Sequence, residues 1–209
     1  MVHLVLIRHG QSEWNSQNKF TGWVDIDLSD QGKKEAKTAG ELIIKENLKF
    51  DYYFCSFQKR AINTLKLIQK TIGIENLKFD EAWQLNERHY GALTGLNKEE
   101  MKKKLGENKI HEFRRSWSLK PENLAKNSAY HPLNIKKYRN VPKENIPNSE
   151  SLEDTYNRVI PYFESKILRL LKLNKNILIA AHGNSIRALC KYLLKINNED
   201  ISNLEIPTG

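Results

Sequence analysis

The chain has 209 residues and a formal net charge of +9 at pH 7, a size that suits one domain with a full hydrophobic core. No apolar run could span a membrane and the apolar start of the chain is too short for a signal peptide, so we expect a cytoplasmic protein without a membrane partner. The two cysteines form no disulfide framework, and lysines interleaved with acids are typical of a solvated surface rather than of a nucleic-acid-binding patch.

The first part of the chain alternates between strand and helix patterns. An apolar run precedes His9, and its length and composition are typical of a strand buried on both faces. Apolar residues then recur at helical spacing after Ser29, which has the residue type of an N-cap. The elements predicted after the first strand are a helix from Ser29 to about Glu46, a strand from Phe50 to Ser56, a helix from Gln58 to Ile72 and a strand near Leu77 to Phe79.

The pattern changes between about residues 93 and 147, where helical fragments and polar loops replace it. This stretch lacks enough apolar residues for its own core, so we interpret it as a helical insertion over the sheet edge, within a single domain spanning residues 1–209. Alternation then resumes, and overall it predicts a three-layer α/β/α sandwich around a mainly parallel sheet. The last predicted elements are a helix from Leu152 to about Lys172, with a capping box at Ser151 and Asp154 and a kink at Pro161, a strand at 176–181, and a helix from Ile186 to Lys195.

Two of the predicted strands end in the same motif, His-Gly-x-Ser. His9 follows the first strand and His182 the last, and we expect each strand in the middle of the sheet. Because the carboxyl ends of parallel strands share one edge, the two histidines are expected to face each other across one pocket. Ser12 and Ser185 stand where the following helices would begin and could cap them, and helix amino termini favour anions.

Several familiar sites are missing from the sequence. It has no Walker lysine loop, no Gly-x-Gly-x-x-Gly after a strand and no helix with histidines at metal-binding spacing, so we expect no metal site. Arginine is scarce, at 9 against 25 lysines, and should mark places that need a rigid bidentate cation. Arg8 and Arg60 around a histidine suit a phosphoryl group, which a neutral His9 could accept while a second histidine donates to the moving oxygen.

Longer segments sharpen this interpretation: LIRHGQSEWN, SFQKRAINT, LNERHYGALTGLNK, RRSW and AAHGNSIRALCKYL with EIPTG. Together they resemble the cofactor-dependent phosphoglycerate mutases of the histidine phosphatase superfamily, and the resemblance runs from Leu4 to Gly209. Arg-His-Gly alone is typical of the whole superfamily. The combination of LNERHYGALTGLNK with RRSW is more specific, because it separates the mutases from the general phosphatases.

The resemblance implies interconversion of 3-phosphoglycerate and 2-phosphoglycerate through a phosphohistidine, with 2,3-bisphosphoglycerate as the priming cofactor and no metal. The catalytic residues it implies are His9 as nucleophile, Glu87 as general acid and base, His182, Arg8 and Arg60. The substrate-binding residues it implies are Ser12, Asn15, Thr21, Gly22, Tyr90, Lys98, Arg114, Arg115, Gly183 and Asn184. On the residues alone, Arg114 and Arg115 could instead form a solvated helix face. Small-molecule phosphoglycerates are the expected partners, and a homodimer or higher homo-oligomer is compatible with the family.

Two alternatives stay open. One is a histidine-dependent phosphatase or a bisphosphoglycerate synthase of the same superfamily, and the other is a non-catalytic polyanion-binding protein that uses the net charge of +9. The family continues past IPTG with a further strand and a basic tail, whereas this sequence stops at Gly209. A chain that ends there is expected to be less stable and to have a higher ratio of phosphatase to mutase activity.

Overall fold

A parallel sheet forms the centre of the computed structural model, which describes residues 2–76 and 78–209. Its strands, in the spatial order β1-β4-β2-β3, are β1 (Leu4–Arg8), β2 (Tyr52–Ser56), β3 (Asp80–Ala82) and β4 (Ile177–Ala181). The pairings among these four strands are parallel, and Arg8 lies opposite Ala181 in the register of β1 and β4. The ends of these two strands therefore meet at the same edge.

The helices follow the predicted patterns closely. They are α1 (Glu13–Ser16), α2 (Asp30–Lys45), α3 (Lys59–Thr71), α4 (Lys98–Leu105), α5 (Glu107–Arg115), α6 (Leu152–Tyr162), α7 (Arg169–Lys172) and α8 (Gly183–Leu194). Ser29 caps α2, and Ser151 and Asp154 form the predicted capping box of α6. A π-helical segment, Phe163–Leu168, follows α6 and its Pro161, where a kink was predicted. Within the described ranges no helix is long and apolar enough to cross a bilayer.

Helices cover both faces of the sheet. On one face α2 and α3 pack through residues such as Ile43 and Leu65, and on the other face α6 and α8 pack through residues such as Leu189. Strand β4 contributes side chains to both faces, because Leu178 belongs to the cluster with α2 and α3 and Ile179 belongs to the cluster with α6 and α8. The three-layer α/β/α prediction is therefore confirmed.

The position of β1 in the sheet differs from the prediction. Strand β4 is central, as expected, but within the described residues β1 pairs with β4 alone and lies at an edge. Leu4, Val5 and Leu6 are accordingly only partly buried. The prediction of a central β1 is wrong because an apolar run reveals that both faces are covered but not how many neighbours a strand has.

The third strand begins later than predicted. Leu77 lies outside the described residues, Phe79 is not part of a strand, and β3 begins at Asp80. This short strand is defined by its parallel pairing with the end of β2, opposite Phe54 and Cys55. The apolar residues that suggested a strand stand just before it, so the apolar pattern placed the strand too early.

The last helix begins one turn earlier than predicted. Helix α8 begins at Gly183 with His182 as its N-cap residue. Ser185 is therefore inside the first turn, where its hydroxyl accepts a hydrogen bond from the backbone N–H of His182 (3.1 Å). Ser185 is therefore not the N-cap residue but takes part in a capping box from the third position of the helix. Ser12 is the N-cap residue of α1, where it accepts from the N–H of Asn15 (3.1 Å).

The stretch from residue 93 to 147 packs against the loop that follows β1. Phe20 in that loop contacts Leu93 and Ile110, and Trp23 contacts Tyr138 in a second small cluster. The Tyr138 hydroxyl donates to the carbonyl of Trp23 (2.6 Å). These contacts bring α4 and α5 to the carboxyl edge of the sheet, beside the residues that follow β1.

Candidate active site

His9 and His182 lie side by side at the carboxyl edge of the sheet. The backbone N–H of His9 extends the pairing of β1 and β4 by donating to the carbonyl of Ala181 (3.0 Å). The residues that follow these adjacent strands are therefore neighbours, and the centroids of the two imidazole rings are 4.9 Å apart. The prediction that the two histidines meet at this edge is confirmed, but the rings are direct neighbours rather than on opposite sides of a pocket.

The surroundings of His9 determine which of its nitrogens is free. Nδ1 lies 2.6 Å from the carbonyl oxygen of Gly10, and because a carbonyl can only accept, Nδ1 carries the proton. Nε2 is then an acceptor, and Arg60 Nε donates to it (3.3 Å). Burial, with the nearby charges of Arg60 and Arg8, holds the pKa of His9 well below its usual range. His9 is thus neutral at pH 7 and has its lone pair on Nε2.

His182 is completely buried and is oriented by the end of β2. Its Nε2 lies 2.6 Å from the hydroxyl of Ser56, which also accepts from the backbone N–H of Gln58 (3.2 Å). Burial, followed by the charge of Arg60, lowers the pKa of His182 well below its usual range. Among the described residues its Nδ1 has no hydrogen-bond partner. A neutral His182 that accepts from Ser56 at Nε2 carries its proton on Nδ1 and can donate it to a ligand.

Arg60 stands in the first turn of α3 and is buried. In addition to the bond to His9, its Nη1 donates to the carbonyl of Val24 (3.0 Å), and its Nη2 donates to Gly22 (2.9 Å) and to Gln58 Oε1 (3.2 Å). Since a guanidinium has five N–H donors, these four bonds leave one uncommitted. A bidentate grip on phosphate, as the sequence suggested, would require Arg60 to give up some of these bonds.

Glu87 is held at the amino terminus of α8. Its Oε1 accepts from the backbone N–H of Arg88 (2.8 Å) and from that of Asn184 (3.1 Å). The side chain of Asn184 in turn donates to the hydroxyl of Tyr90 (3.0 Å). The carboxylate is therefore fixed by two backbone donors and stabilised by the helix dipole.

Cations from the insertion face the histidines. A cavity of about 60 Å³ is lined by Arg8, His9, Asn15, Lys19, Thr21, Gly22, Arg60, Glu87, Tyr90, Lys98 and Arg114. Lys98 begins α4 and Arg114 lies near the end of α5, so the insertion supplies the far wall. Burial lowers the pKa of Lys98 to about 8, and the charges of Arg114 and Arg8 contribute to the shift.

Some predicted site residues do not line this cavity. Arg115 pairs with Glu205 (2.7 Å) instead, because consecutive residues of a helix point in different directions and Arg114 takes the inward position. Ser12 is fully buried and serves as the cap of α1. Three others reach the site through their neighbours. His182 contacts the ring of His9, Asn184 binds both Glu87 and Tyr90, and Gly183 lies so close to Arg8 that a Cβ atom on it would be 3.6 Å from Arg8 Nε.

The sequence interpretation missed three residues at the site. Lys19 lines the cavity, Ser56 binds His182, and Gln58 is fully buried among the predicted site residues. Lys19 stands two residues before Thr21, a predicted site residue, so its position in the chain was a usable signal. Ser56 and Gln58 carry no charge and gave no signal, because their importance depends on contacts that the fold creates.

Neither a metal-binding cluster nor a reactive thiol is found among the described residues. Among residues 2–76 and 78–209, no group of three or more His, Cys, Asp or Glu side chains is placed to hold a metal ion. Cys55 and Cys190 are both free thiols. Burial raises the pKa of each thiol, so both are expected to be poor nucleophiles.

Known proteins are similar in sequence to this chain over its full length. The profile of the histidine phosphatase superfamily (branch 1) matches residues 4–131 and 122–209. A protein of Pelagibacter ubique (strain HTCC1062), named 2,3-bisphosphoglycerate-dependent phosphoglycerate mutase, is 62% identical over 209 residues, which are 100% of this chain and 87% of that protein. A protein of the same name from Buchnera aphidicola subsp. Cinara cedri (strain Cc) is 53% identical over 99% of this chain and 90% of its own length.

Solved structures share the fold at lower identity. A protein described as mycobacterial hydrolase 1 superposes with a TM-score of 0.75 at 21% identity, over 100% of this chain and 86% of that one. A mycobacterial glucosyl-3-phosphoglycerate phosphatase superposes with a TM-score of 0.73 at 21% identity, over 99% of this chain and 86% of that one. The chain therefore belongs to the histidine phosphatase superfamily, and within it to the family of 2,3-bisphosphoglycerate-dependent phosphoglycerate mutases.

Proposed function

We propose that this chain interconverts 3-phosphoglycerate and 2-phosphoglycerate, with His9 carrying a phosphoryl group that 2,3-bisphosphoglycerate first supplies. The observation that carries the proposal is a set of buried side-chain atoms that lack partners among the described residues, including Arg8 Nε, Thr21 Oγ1 and His182 Nδ1. Buried polar atoms are normally paired. All three belong to residues expected to bind the substrate, and each can donate a hydrogen bond to an oxygen of a phosphoryl group.

The charge of the cavity supports the same substrate class. Its lining residues include five cationic side chains, those of Arg8, Lys19, Arg60, Lys98 and Arg114, and a single carboxylate, that of Glu87. A phosphate ester carries a charge of about −1.5 to −2 at pH 7. A molecule with two phosphates and a carboxylate therefore roughly balances the cations, whereas a neutral ligand would leave them to repel one another.

In the proposed transfer each group has a role that its position supports. His9 Nε2 attacks phosphorus, so that an N–P bond forms as the bond between phosphorus and the leaving oxygen breaks. The Nδ1–H of His9 stays on the Gly10 carbonyl, which stabilises the positive charge that develops on the ring. Arg60 Nε, now bonded to Nε2, turns its N–H to the phosphoryl oxygens.

Glu87 completes the proposed cycle as the proton carrier. When phospho-His9 gives its phosphoryl group to the free hydroxyl of 3-phosphoglycerate, Glu87 takes the proton of that hydroxyl and 2,3-bisphosphoglycerate forms. After this intermediate reorients, its other phosphoryl group passes to His9 and Glu87 protonates the leaving oxygen, which releases 2-phosphoglycerate. His182 donates its Nδ1–H to a phosphoryl oxygen throughout. Lys98 and Arg114, on the insertion, hold the opposite end of the substrate during its reorientation.

The competing activity is hydrolysis or bisphosphoglycerate synthesis at the same histidine. Mutase activity requires that water be kept from the phosphorylated residue. The insertion contributes Lys98 and Arg114 to the same small cavity as His9, which favours the mutase. A coupled assay should show mutase turnover well above phosphate release, and a ratio below one would favour the phosphatase instead.

The central test is the site of phosphorylation. Incubation with 2,3-bisphosphoglycerate that carries labelled phosphate should give an acid-labile, alkali-stable adduct on His9. A His9→Ala variant should give none, whereas His111→Ala, at an exposed histidine of α5, should label like the wild type. An adduct that maps to His182 would reverse the two proposed roles.

The proposal includes no metal ion, because arginine and lysine side chains supply the positive charge at the transferring group. Mutase turnover should be unchanged in excess chelator. Loss of turnover that a divalent cation restores would contradict this part of the proposal.

A further inference from the structure

Gln58 has an unusual environment for a residue at a helix start. It is the N-cap residue of α3 and is fully buried, yet within the part of the chain that the structure describes its side chain makes no capping bond to the helix. N-cap positions usually hold Ser, Thr, Asp or Asn, whose short side chains reach the first backbone N–H groups. The longer glutamine side chain extends away from the helix and toward the active site instead.

The Gln58 amide makes three hydrogen bonds, each to a predicted site residue. Its Nε2 donates to the carbonyl of Gly22 (2.7 Å), and its Oε1 accepts from Arg60 Nη2 (3.2 Å) and from the backbone N–H of Glu87 (3.0 Å). Gly22 lies in the loop after β1, Arg60 in α3, and Glu87 after β3. One buried side chain thus joins three segments that are far apart in sequence.

The orientation of the amide follows from its partners. A carbonyl such as that of Gly22 can only accept, and the guanidinium of Arg60 can only donate. The amide nitrogen must therefore face Gly22 and the amide oxygen must face Arg60. This arrangement leaves the oxygen as the acceptor for the Glu87 N–H.

We propose that Gln58 is a positioning residue for the mutase reaction, which holds the backbone of Glu87 so that its carboxylate stays aligned with His9. The inference rests on the proposed function, since it assigns to Glu87 the role of proton carrier. Without the Gln58 oxygen the buried N–H of Glu87 loses its partner, and the segment must shift to find another. A displacement of a catalytic group by about 1 Å costs on the order of a hundredfold in rate.

Two variants of Gln58 and one control separate the functions of its amide. Gln58→Met keeps the length of the side chain but removes its hydrogen bonds. Gln58→Glu keeps an acceptor for Glu87 and Arg60 but places a carboxylate oxygen against the Gly22 carbonyl, so it should lose activity too. Gln69→Met, at the partly exposed far end of the same helix, is the matched control.

The variants are compared by kcat and KM for 3-phosphoglycerate. We expect Gln58→Met to lower kcat by at least about tenfold while KM changes by less than about threefold, because proton transfer rather than binding is affected. Gln69→Met should leave both constants near those of the wild type. A kcat within about twofold of the wild type in a folded Gln58→Met protein would overturn the inference.

A double-mutant cycle distinguishes positioning from a general loss of structure. If Gln58 acts through Glu87, Gln58→Met should change the residual turnover of a Glu87→Gln protein by less than about twofold. An equal loss in both backgrounds would mean that Gln58 is only structural and would overturn the proposal. The wild type serves as a separate check: if it forms no adduct on His9 and has no mutase turnover, the proposed function fails, not the role of Gln58 alone.

Discussion

Some buried arginines of this protein lie outside the cavity and hold loops together. Arg88 donates to the carbonyls of Glu150 (2.7 Å) and Leu119 (2.6 Å), and Arg187 donates to the carbonyl of Leu204 (2.9 Å). Arginine suits this purpose because its planar fork has several donors in fixed directions. In a chain whose usual cation is lysine, a rigid donor set explains why arginine stands at these positions.

Among the buried arginines, Arg60 should be the most sensitive to substitution by lysine. Arg60→Lys keeps the charge but has too few donors in the right directions to hold His9, Val24 and Gly22 at once. We expect the free energy of unfolding to fall by about 1.5–3 kcal/mol, the range for a hydrogen bond to a charged group. We also expect kcat to fall by at least about tenfold.

Urea unfolding and the coupled assay measure these two effects. Arg139→Lys, at an exposed arginine, is the control and should change neither. Wild-type turnover in a folded Arg60→Lys protein would be evidence against any role of the fork in transfer.

The lowered pKa of Lys98 predicts how the reaction depends on pH. Because its pKa is lowered to about 8, the free protein loses this charge as the pH rises through about 8, and the anionic substrate then binds less well. We expect kcat/KM to fall on the alkaline side with an apparent pKa of about 8. Lys98→Arg should shift that decline to higher pH, since arginine stays charged. Lys103→Arg, exposed on the same helix, should not, and a decline that Lys98→Arg leaves in place must come from another group.

At the scale of elements, α2 fixes the loop that carries His9. The first turn of α2 packs so closely on this loop that a Cβ atom on Gly32 would overlap the carbonyl of Gln11, and one on Gly10 would overlap the carbonyl of Gly32. The Gln11 carbonyl also accepts from the backbone N–H of Ser29 (2.9 Å). The two backbones therefore meet without side chains between them, and the strand end cannot move independently of the helix.

This contact reverses the usual effect of alanine in a helix. Ala is favoured over Gly in helix interiors by about 1 kcal/mol. Gly32→Ala should nevertheless lower the free energy of unfolding by about 1–3 kcal/mol, because the backbones must separate. It should also lower kcat, since Gly10 adjoins His9. Thr38→Ala, at an exposed position of α2, is the control for urea unfolding and should be neutral or slightly stabilising. A more stable Gly32→Ala protein would mean that the contact is looser than described.

At the scale of the whole molecule, positive charge has two different distributions. Many of the lysines that produce the net charge of +9 are exposed, and some of them pair with nearby acids, as Lys33 does with Asp30 (2.8 Å). The cations of the cavity are partly or fully buried and face a single carboxylate, that of Glu87. Solvated pairs of the first kind contribute little to binding, whereas the buried group should bind a small polyanion strongly.

Ligand-dependent stability tests this difference. At a concentration about 100 times its Kd, a ligand of the folded state stabilises it by about 2.7 kcal/mol. For a chain of this size, 2,3-bisphosphoglycerate should then raise Tm by about 5–10 °C. Arg114→Ala should remove most of the shift, and duplex DNA should give little. A larger, salt-sensitive shift with DNA that survives loss of His9 would favour the polyanion-binding alternative.

The sequence by itself determined the features that depend on neighbours in the chain. Helical spacing and capping residues predicted α2 and α6, because these signals arise within a few residues of each other. The repeated His-Gly-x-Ser after two apolar runs predicted that His9 and His182 would meet, since parallel strands share a carboxyl edge. The family, inferred from the same motifs and those around Glu87, is confirmed by the relatives that match the full chain.

Only the tertiary structure decided which partners each side chain has. It placed β1 at an edge and turned Arg115 to Glu205 while Arg114 faces the cavity. It gave Arg60 four hydrogen-bond partners among the described residues, which are His9, Gly22, Val24 and Gln58. It also buried the uncharged Gln58 between distant segments. Hydrogen-bond partners far apart in sequence leave no periodic or compositional trace, because their selection depends on distances that exist only once the layers have packed.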